Sequence, residues 1–190
     1  SRAQGLRDQL ERERINYKIY SVTGEPSLTQ IDQGVSAARN FENPVIVGFG
    51  GGSVVDSAKA IAGLFSNAGK IIDYLEVIGG GKPLQSPGVP CVAVPTTAGT
   101  GAEVTKNCVL SSPEHRRKVS LRSPYLLPTI AIIDPDLTLN LPPSVTAASG
   151  MDAMTQLIEP YVSIRANPVT DALCRDALPR SARSLEGCFN

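Results

Sequence analysis

A doubly wound α/β fold with a mostly parallel, Rossmann-like sheet, followed by the start of an all-helical second domain, is predicted by three observations. Short apolar runs alternate with amphipathic helical patterns up to about residue 140. Two of those runs, Val45-Ile46-Val47-Gly48-Phe49 and Val92-Ala93-Val94, lead straight into loops rich in glycine or threonine. Beyond Leu141-Pro142-Pro143 no strand pattern appears and the texture turns helical. Helices inserted between parallel strands cover the faces of such a sheet, and ligands bind at the carboxyl ends of its strands.

The elements follow in order. Residues 2–14 are charged, with Leu6 and Leu10 four apart, which predicts a surface helix with a narrow apolar seam. Residues 15–20 alternate and predict a strand, broken by Gly24-Glu25-Pro26. Residues 27–40 predict a helix with Ser27 as N-cap and Ile31, Val35 and Ala38 on its buried side. The continuous apolar run 45–49 is what a strand inside a parallel sheet requires. After Gly52, the spacing of Val55, Ala58, Ala62 and Phe65 predicts a helix packed on that sheet. Residues 89–94 form the next strand, 119–121 a short one, and 129–133 another, ended by Asp134-Pro135. Residues 144–160 are helical. The division is a 1–140 dinucleotide-binding α/β domain without its opening strand, and a 141–190 unit that is the incomplete beginning of a helical metal and substrate domain. The second unit is too short to bury a core alone.

Composition removes several functions. Of 190 residues, 42% are apolar and the formal net charge is zero, which gives no electrostatic case for nucleic acid or an anionic membrane. No apolar run approaches the roughly 18–20 residues of a membrane span. No signal-peptide pattern opens the sequence, and cytoplasmic localisation is expected. Cys91, Cys108, Cys174 and Cys188 are scattered without a C-x-x-C pair, so they read as reduced thiols and not as a zinc site. The single histidine, His115, sits in Glu114-His115-Arg116-Arg117-Lys118, an expected exposed turn. Neither a Ser-His-Asp triad nor a three-histidine metal site can be drawn without it.

Three segments can carry chemistry. In Gly50-Gly51-Gly52-Ser53-Val54-Val55-Asp56-Ser57-Ala58-Lys59, glycines between strand and helix let backbone N–H groups approach an anion. Asp56 and Lys59 are one turn apart, and an exposed (i, i+3) ion pair is the expectation for them. In Pro95-Thr96-Thr97-Ala98-Gly99-Thr100-Gly101-Ala102-Glu103-Val104-Thr105, hydroxyls and amides after a buried strand can bond phosphate, ribose or an amide group. In Gly150-Met151-Asp152-Ala153-Met154-Thr155-Gln156, Asp152 and Gln156 share one helix face, where a carboxylate and an amide oxygen can reach one cation. Equally, Asp152 can serve only the helix dipole.

Together with Asp134-Pro135-Asp136-Leu137, these segments resemble, in the same order and over essentially the whole chain, the iron-containing (group III) alcohol dehydrogenase family. The resemblance implies a nucleotide-binding α/β domain and an all-helical domain, and hydride transfer between NAD or NADP and a small alcohol, aldehyde, ketone or hydroxy acid. It implies that Gly51, Gly52 and Ser53 hold the pyrophosphate, with Asp56 grouped beside them. Thr96, Thr97, Thr100 and Thr105 line the cofactor, and Lys118 contacts it. Asp152 matches the family's aspartate ligand for a divalent metal, iron or zinc, which polarises the substrate oxygen.

The chain departs from that pattern in three places. Gln156 stands where the family has its first histidine ligand, and a neutral amide weakens the metal site. The two further histidine ligands are absent from this sequence. The opening strand is also absent, and Tyr20-Ser21-Val22 offers no carboxylate to select NAD, which leaves NADP open. The expected partner is a small-molecule substrate, with no nucleic acid and no membrane. Homo-oligomerisation is expected through apolar surface that a truncated helical region leaves exposed. No residue of this chain is assigned to the chemical step. The alternative reading is a non-catalytic nucleotide-binding remnant or fragment that has lost its metal site.

Overall fold

The computed structural model describes residues 3–189. Its helices are α1 (Gln4–Arg12), α2 (Leu28–Ala38), α3 (Gly52–Phe65), α4 (Pro143–Tyr161) and α5 (Pro168–Phe189). Its strands are β1 (Ile46–Gly50), β2 (Cys91–Pro95), β3 (Asn107–Ser112), β4 (Arg117–Arg122) and β5 (Ile130–Ala131). Two compact units divide the chain. The first runs to Pro95 and resumes at Ala102–Ile133; the second holds Thr96–Gly101 and the residues from Asp134 onward.

In the first unit, β1, β2 and β5 form a parallel sheet in that order. The register sets Gly48 beside Ala93 and Gly50 beside Pro95, so β1 and β2 end together. β3 and β4 form a separate antiparallel ribbon, with Leu110 opposite Val119. Helix α2 begins with a complete capping box. The Ser27 hydroxyl accepts from the Gln30 N–H at 3.2 Å, and the Gln30 side chain accepts from the Ser27 N–H at 2.9 Å. Ile31, Val35 and Ala38 are buried as their spacing predicts. They join Ile61 and Leu64 of α3, Leu110 and Leu121 of the ribbon, and Leu126 in the main core. Val55, Ala58 and Ala62 face the sheet and are also buried. Val45, Val47 and Ile130 are about half exposed.

Helix α3 comes close to β1 because Gly48 has no side chain. A β-carbon there would stand 2.8 Å from Ala58 Cβ and 3.2 Å from Val55 Cα. Small residues on both sides of the contact make the strand–helix turn tight.

In the second unit, α4 starts at Pro143, where a missing N–H costs nothing. Helix α5 is capped by Asn167, whose Oδ1 accepts from the N–H groups of Val169 and Thr170 at 3.1 Å each. Gly150 of α4 lies against Leu185 of α5 with no room for a β-carbon. The Arg175 guanidinium stands 5.7 Å from the centre of the Tyr161 ring. No helix among the described residues is long and apolar enough to cross a membrane.

Three sequence expectations are corrected. Residues 15–20 form no strand, because no neighbouring strand pairs with them. Their tyrosines bond to helices instead: Tyr17 donates to Glu11, and Tyr20 donates to the Gln30 carbonyl at 2.7 Å. The predicted strand 129–133 shrinks to two residues. Strand β3 is unforeseen, since its polar residues hide an alternating burial of Cys108, Leu110 and Ser112.

Two outcomes follow from this packing. Gly48→Ala pushes α3 off β1 and should lower stability by about 1–3 kcal/mol, read as a drop in the urea midpoint. The cysteines should differ in reactivity. None is disulfide-bonded, and only Cys188 is exposed. Burial pushes the Cys91 thiol up to about 11 and the Cys108 thiol further still. Alkylation at neutral pH, followed by mass spectrometry, should modify Cys188 first and Cys91 and Cys108 only on unfolding.

Candidate functional site

The first unit supplies the glycine loop. β1 ends at Gly50, where a β-carbon would meet Val54 Cγ2 at 2.6 Å. Gly51 is the N-cap of α3, with extended backbone (φ −72°, ψ −176°). The N–H groups of Val54 and Val55 both turn back to the Gly51 carbonyl, at 2.9 and 3.1 Å. The N–H groups of Gly52 and Ser53 precede them at the open end of the helix. The first turn carries no acidic residue. Donors at a helix N-terminus, glycine at the approach and no opposing carboxylate fit a pyrophosphate.

Behind the loop, the structure corrects the exposed pair expected of Asp56 and Lys59. Lys59 is fully buried. Its ammonium donates to the Ala102 carbonyl at 2.8 Å, Thr105 Oγ1 at 2.9 Å, Asp56 Oδ1 at 3.2 Å and the Asn107 carbonyl. The second oxygen of Asp56 accepts the Val109 N–H at 2.9 Å. Burial pushes the Asp56 carboxyl above its ordinary range, while the Val109 N–H and the Lys59 ammonium pull it back. Both Asp56 oxygens and the Thr105 hydroxyl are thus engaged inside the unit. The sequence held the signal for the pair in its spacing, but not for its burial.

Lys118 lies on β4, where its ammonium stands 2.9 Å from Glu25 Oε1 in an exposed ion pair. His115 is in the exposed β3–β4 turn, as expected, with Nδ1 2.8 Å from Ser112 Oγ. A cavity of about 240 Å³ opens beside Cys91, Pro87 and Thr129. It lies at the start of β2, the opposite end from Pro95.

The second unit supplies the threonine loop. Thr96 is buried, Thr97 is half-buried and Thr100 is exposed. Gly99 lies against the Ser149 carbonyl of α4, where a β-carbon has no space. Gly101 has φ +63°, a left-handed conformation that favours glycine. Asp152 and Gln156 of α4 are joined: Gln156 Nε2 donates to Asp152 Oδ2 at 2.9 Å. The same nitrogen lies 3.2 Å from the Gly99 carbonyl and 3.4 Å from that of Thr100.

An iron or zinc ion needs about four donors. Among the described residues no group of three or more His, Cys, Asp or Glu side chains is placed to hold a metal. Asp152 and Gln156 are the donors on offer, and the amide nitrogen, not its oxygen, faces the carboxylate. The residues present do not fit the ion.

Comparison with known proteins identifies the family. Residues 1–135 match the family described as iron-containing alcohol dehydrogenase, and residues 146–190 match the C-terminal part of the Fe-containing alcohol dehydrogenase family. The chain is 41% identical over 186 residues to long-chain-alcohol dehydrogenase 1 of Geobacillus thermodenitrificans, covering 95% of this chain and 46% of that protein. It is 38% identical over 181 residues to lactaldehyde reductase of Escherichia coli, covering 95% and 47%. Its fold resembles that of sulfoacetaldehyde reductase from Bifidobacterium kashiwanohense, solved in complex with NAD+. There the TM-score is 0.86 at 30% identity, over 98% of this chain and 51% of that one. The chain spans about half the length of the relatives it matches.

The buried ammonium generates a prediction. Lys59→Met removes the cation that compensates the buried Asp56 carboxylate, and should cost about 3–5 kcal/mol, measured by chemical denaturation. A loss below about 1 kcal/mol would contradict the burial of this network.

Proposed function

We propose a function from a settled premise: the chain belongs to the iron-containing alcohol dehydrogenase family. It is the cofactor-binding part of an NAD-dependent oxidoreductase that interconverts a small alcohol with its aldehyde or ketone. The observation that carries this reading is the β1–α3 turn, where Gly51 caps a helix start free of acidic side chains.

The chain's own residues bind and orient. The N–H groups of Gly52 and Ser53 hold the pyrophosphate, with Gly51 letting the backbone come close. Thr96, Thr97 and Thr100 offer hydroxyls to the cofactor from the loop after β2. Lys118 is an exposed cation that can exchange Glu25 for a cofactor phosphate or ribose. Asp56 and Thr105 support the loop from behind through Lys59. The nicotinamide supplies the hydride chemistry when bound. NAD is the expected form, since the relative described above was solved with NAD+. NADP is the competing form, since Tyr20-Ser21-Val22 carries no carboxylate to repel a 2′-phosphate.

One observation favours a second reading. The Asp152–Gln156 pair is not a metal site as it stands, which fits a nucleotide-binding unit without catalysis of its own.

Calorimetric titration tests the proposal. NAD+ should bind the chain, and Gly52→Val should weaken it at least about tenfold by filling the space where backbone meets pyrophosphate. Unchanged affinity in that variant, with its melting midpoint intact, would remove the loop from the cofactor site. NADH formation from a short-chain alcohol separates the enzyme from the non-catalytic reading.

A further inference from the structure

Gln156 has three oxygen neighbours and all three are acceptors only. Asp152 Oδ2 is 2.9 Å from its side-chain nitrogen, the Gly99 carbonyl 3.2 Å and the Thr100 carbonyl 3.4 Å. A carboxylate and two backbone carbonyls have no proton to give. The amide nitrogen carries two N–H groups, one for the carboxylate and one shared between the carbonyls. Turning the amide over would set its oxygen against three oxygens and lose every bond. The orientation is therefore dictated by the neighbours.

This orientation is the reverse of what a cation requires. A metal between residues one turn apart needs an oxygen from each converging on it. Here the nitrogen is the atom bonded to the carboxylate, and Oε1 lies 3.6 Å from the position a β-carbon on Gly101 would take.

We infer that Gln156 takes the place of the cation and is not its ligand. It is a neutral donor that satisfies Asp152 and ties α4 to the threonine loop, so this joint of the second unit forms without a metal. The inference uses the family reading only for the expectation that Asp152 binds metal. The clasp itself rests on distances and donor count.

The test is a Mn2+ titration of the full 15N-labelled chain, read as line broadening of the signals from residues 99–101, 152 and 156. In the unsubstituted protein no selective broadening should occur. Gln156→Glu removes both N–H donors and sets two carboxylates one turn apart. It should gain selective broadening at those residues, with Mn2+ affinity at least about tenfold above the unsubstituted protein. Gln156→Lys keeps a donor and cannot ligate. It should leave the Gly99, Thr100 and Gly101 shifts near their original positions and remain silent to Mn2+. Selective broadening of the unsubstituted protein as strong as that of Gln156→Glu would overturn the inference. Release of the loop in Gln156→Lys would also overturn it. An NAD+ titration of the same sample reads the functional proposal separately, since a chain that ignores NAD+ but keeps a Mn2+-silent clasp fails that proposal alone.

Discussion

The first unit depends on one buried ammonium. Lys59 is in the middle of α3 with no exposed surface, and an isolated charge there would not be tolerated. Four oxygens surround it, from Asp56, Ala102, Thr105 and Asn107. Three N–H groups serve four acceptors, so the site is saturated. Asp56 hands the connection on, because its other oxygen takes the Val109 N–H of β3. A helix, an irregular segment and a ribbon are thereby fixed to each other by directional bonds. Apolar packing alone sets no such register. The cap of α3 and its open N–H groups are held at the end of this frame.

The frame also holds the two residues at which the chain leaves and rejoins the first unit. The chain leaves the first unit after Pro95 of β2, and returns at Ala102, whose carbonyl is bound by Lys59. Pro95 and Ala102, the two crossing points of the Thr96–Gly101 excursion, thus belong to the sheet and to the ammonium's network of the first unit. Within the excursion, Gly99 permits contact with the Ser149 carbonyl and Gly101 turns the chain with positive φ.

Local patterns were legible in the sequence where the cause was local. The Ser27 cap, the Ile31-Val35-Ala38 face and the Val55-Ala58-Ala62 face follow from spacing alone, and all are found. The family was legible from long motifs in order. What escaped depends on distant partners. Residues 15–20 alternate like a strand, but a strand needs a neighbour. β3 reads as polar until the ribbon partner shows which alternate residues are covered. Asp56 and Lys59 have the spacing of a surface pair, and the oxygens that bury Lys59 lie more than forty residues along the chain. For the same reason the direction of the Gln156 amide could not be read from its place on α4. It is set by two carbonyls of a loop far away in sequence.

Lys59 and Gln156 solve the same problem in different surroundings. Each brings N–H donors to an aspartate and to backbone carbonyls at once. The difference in charge follows from exposure. Asp56 is largely removed from water, so a neutral partner would leave its charge uncompensated, and a full ammonium is required. Asp152 is exposed, so water screens its charge and an amide is enough to orient it. A metal ion at Asp152 would have to displace both that water and the amide nitrogen. With a neutral donor already in place, and no group of three or more His, Cys, Asp or Glu side chains placed to hold a metal among the described residues, Asp152 is oriented by a hydrogen bond and not by a charge.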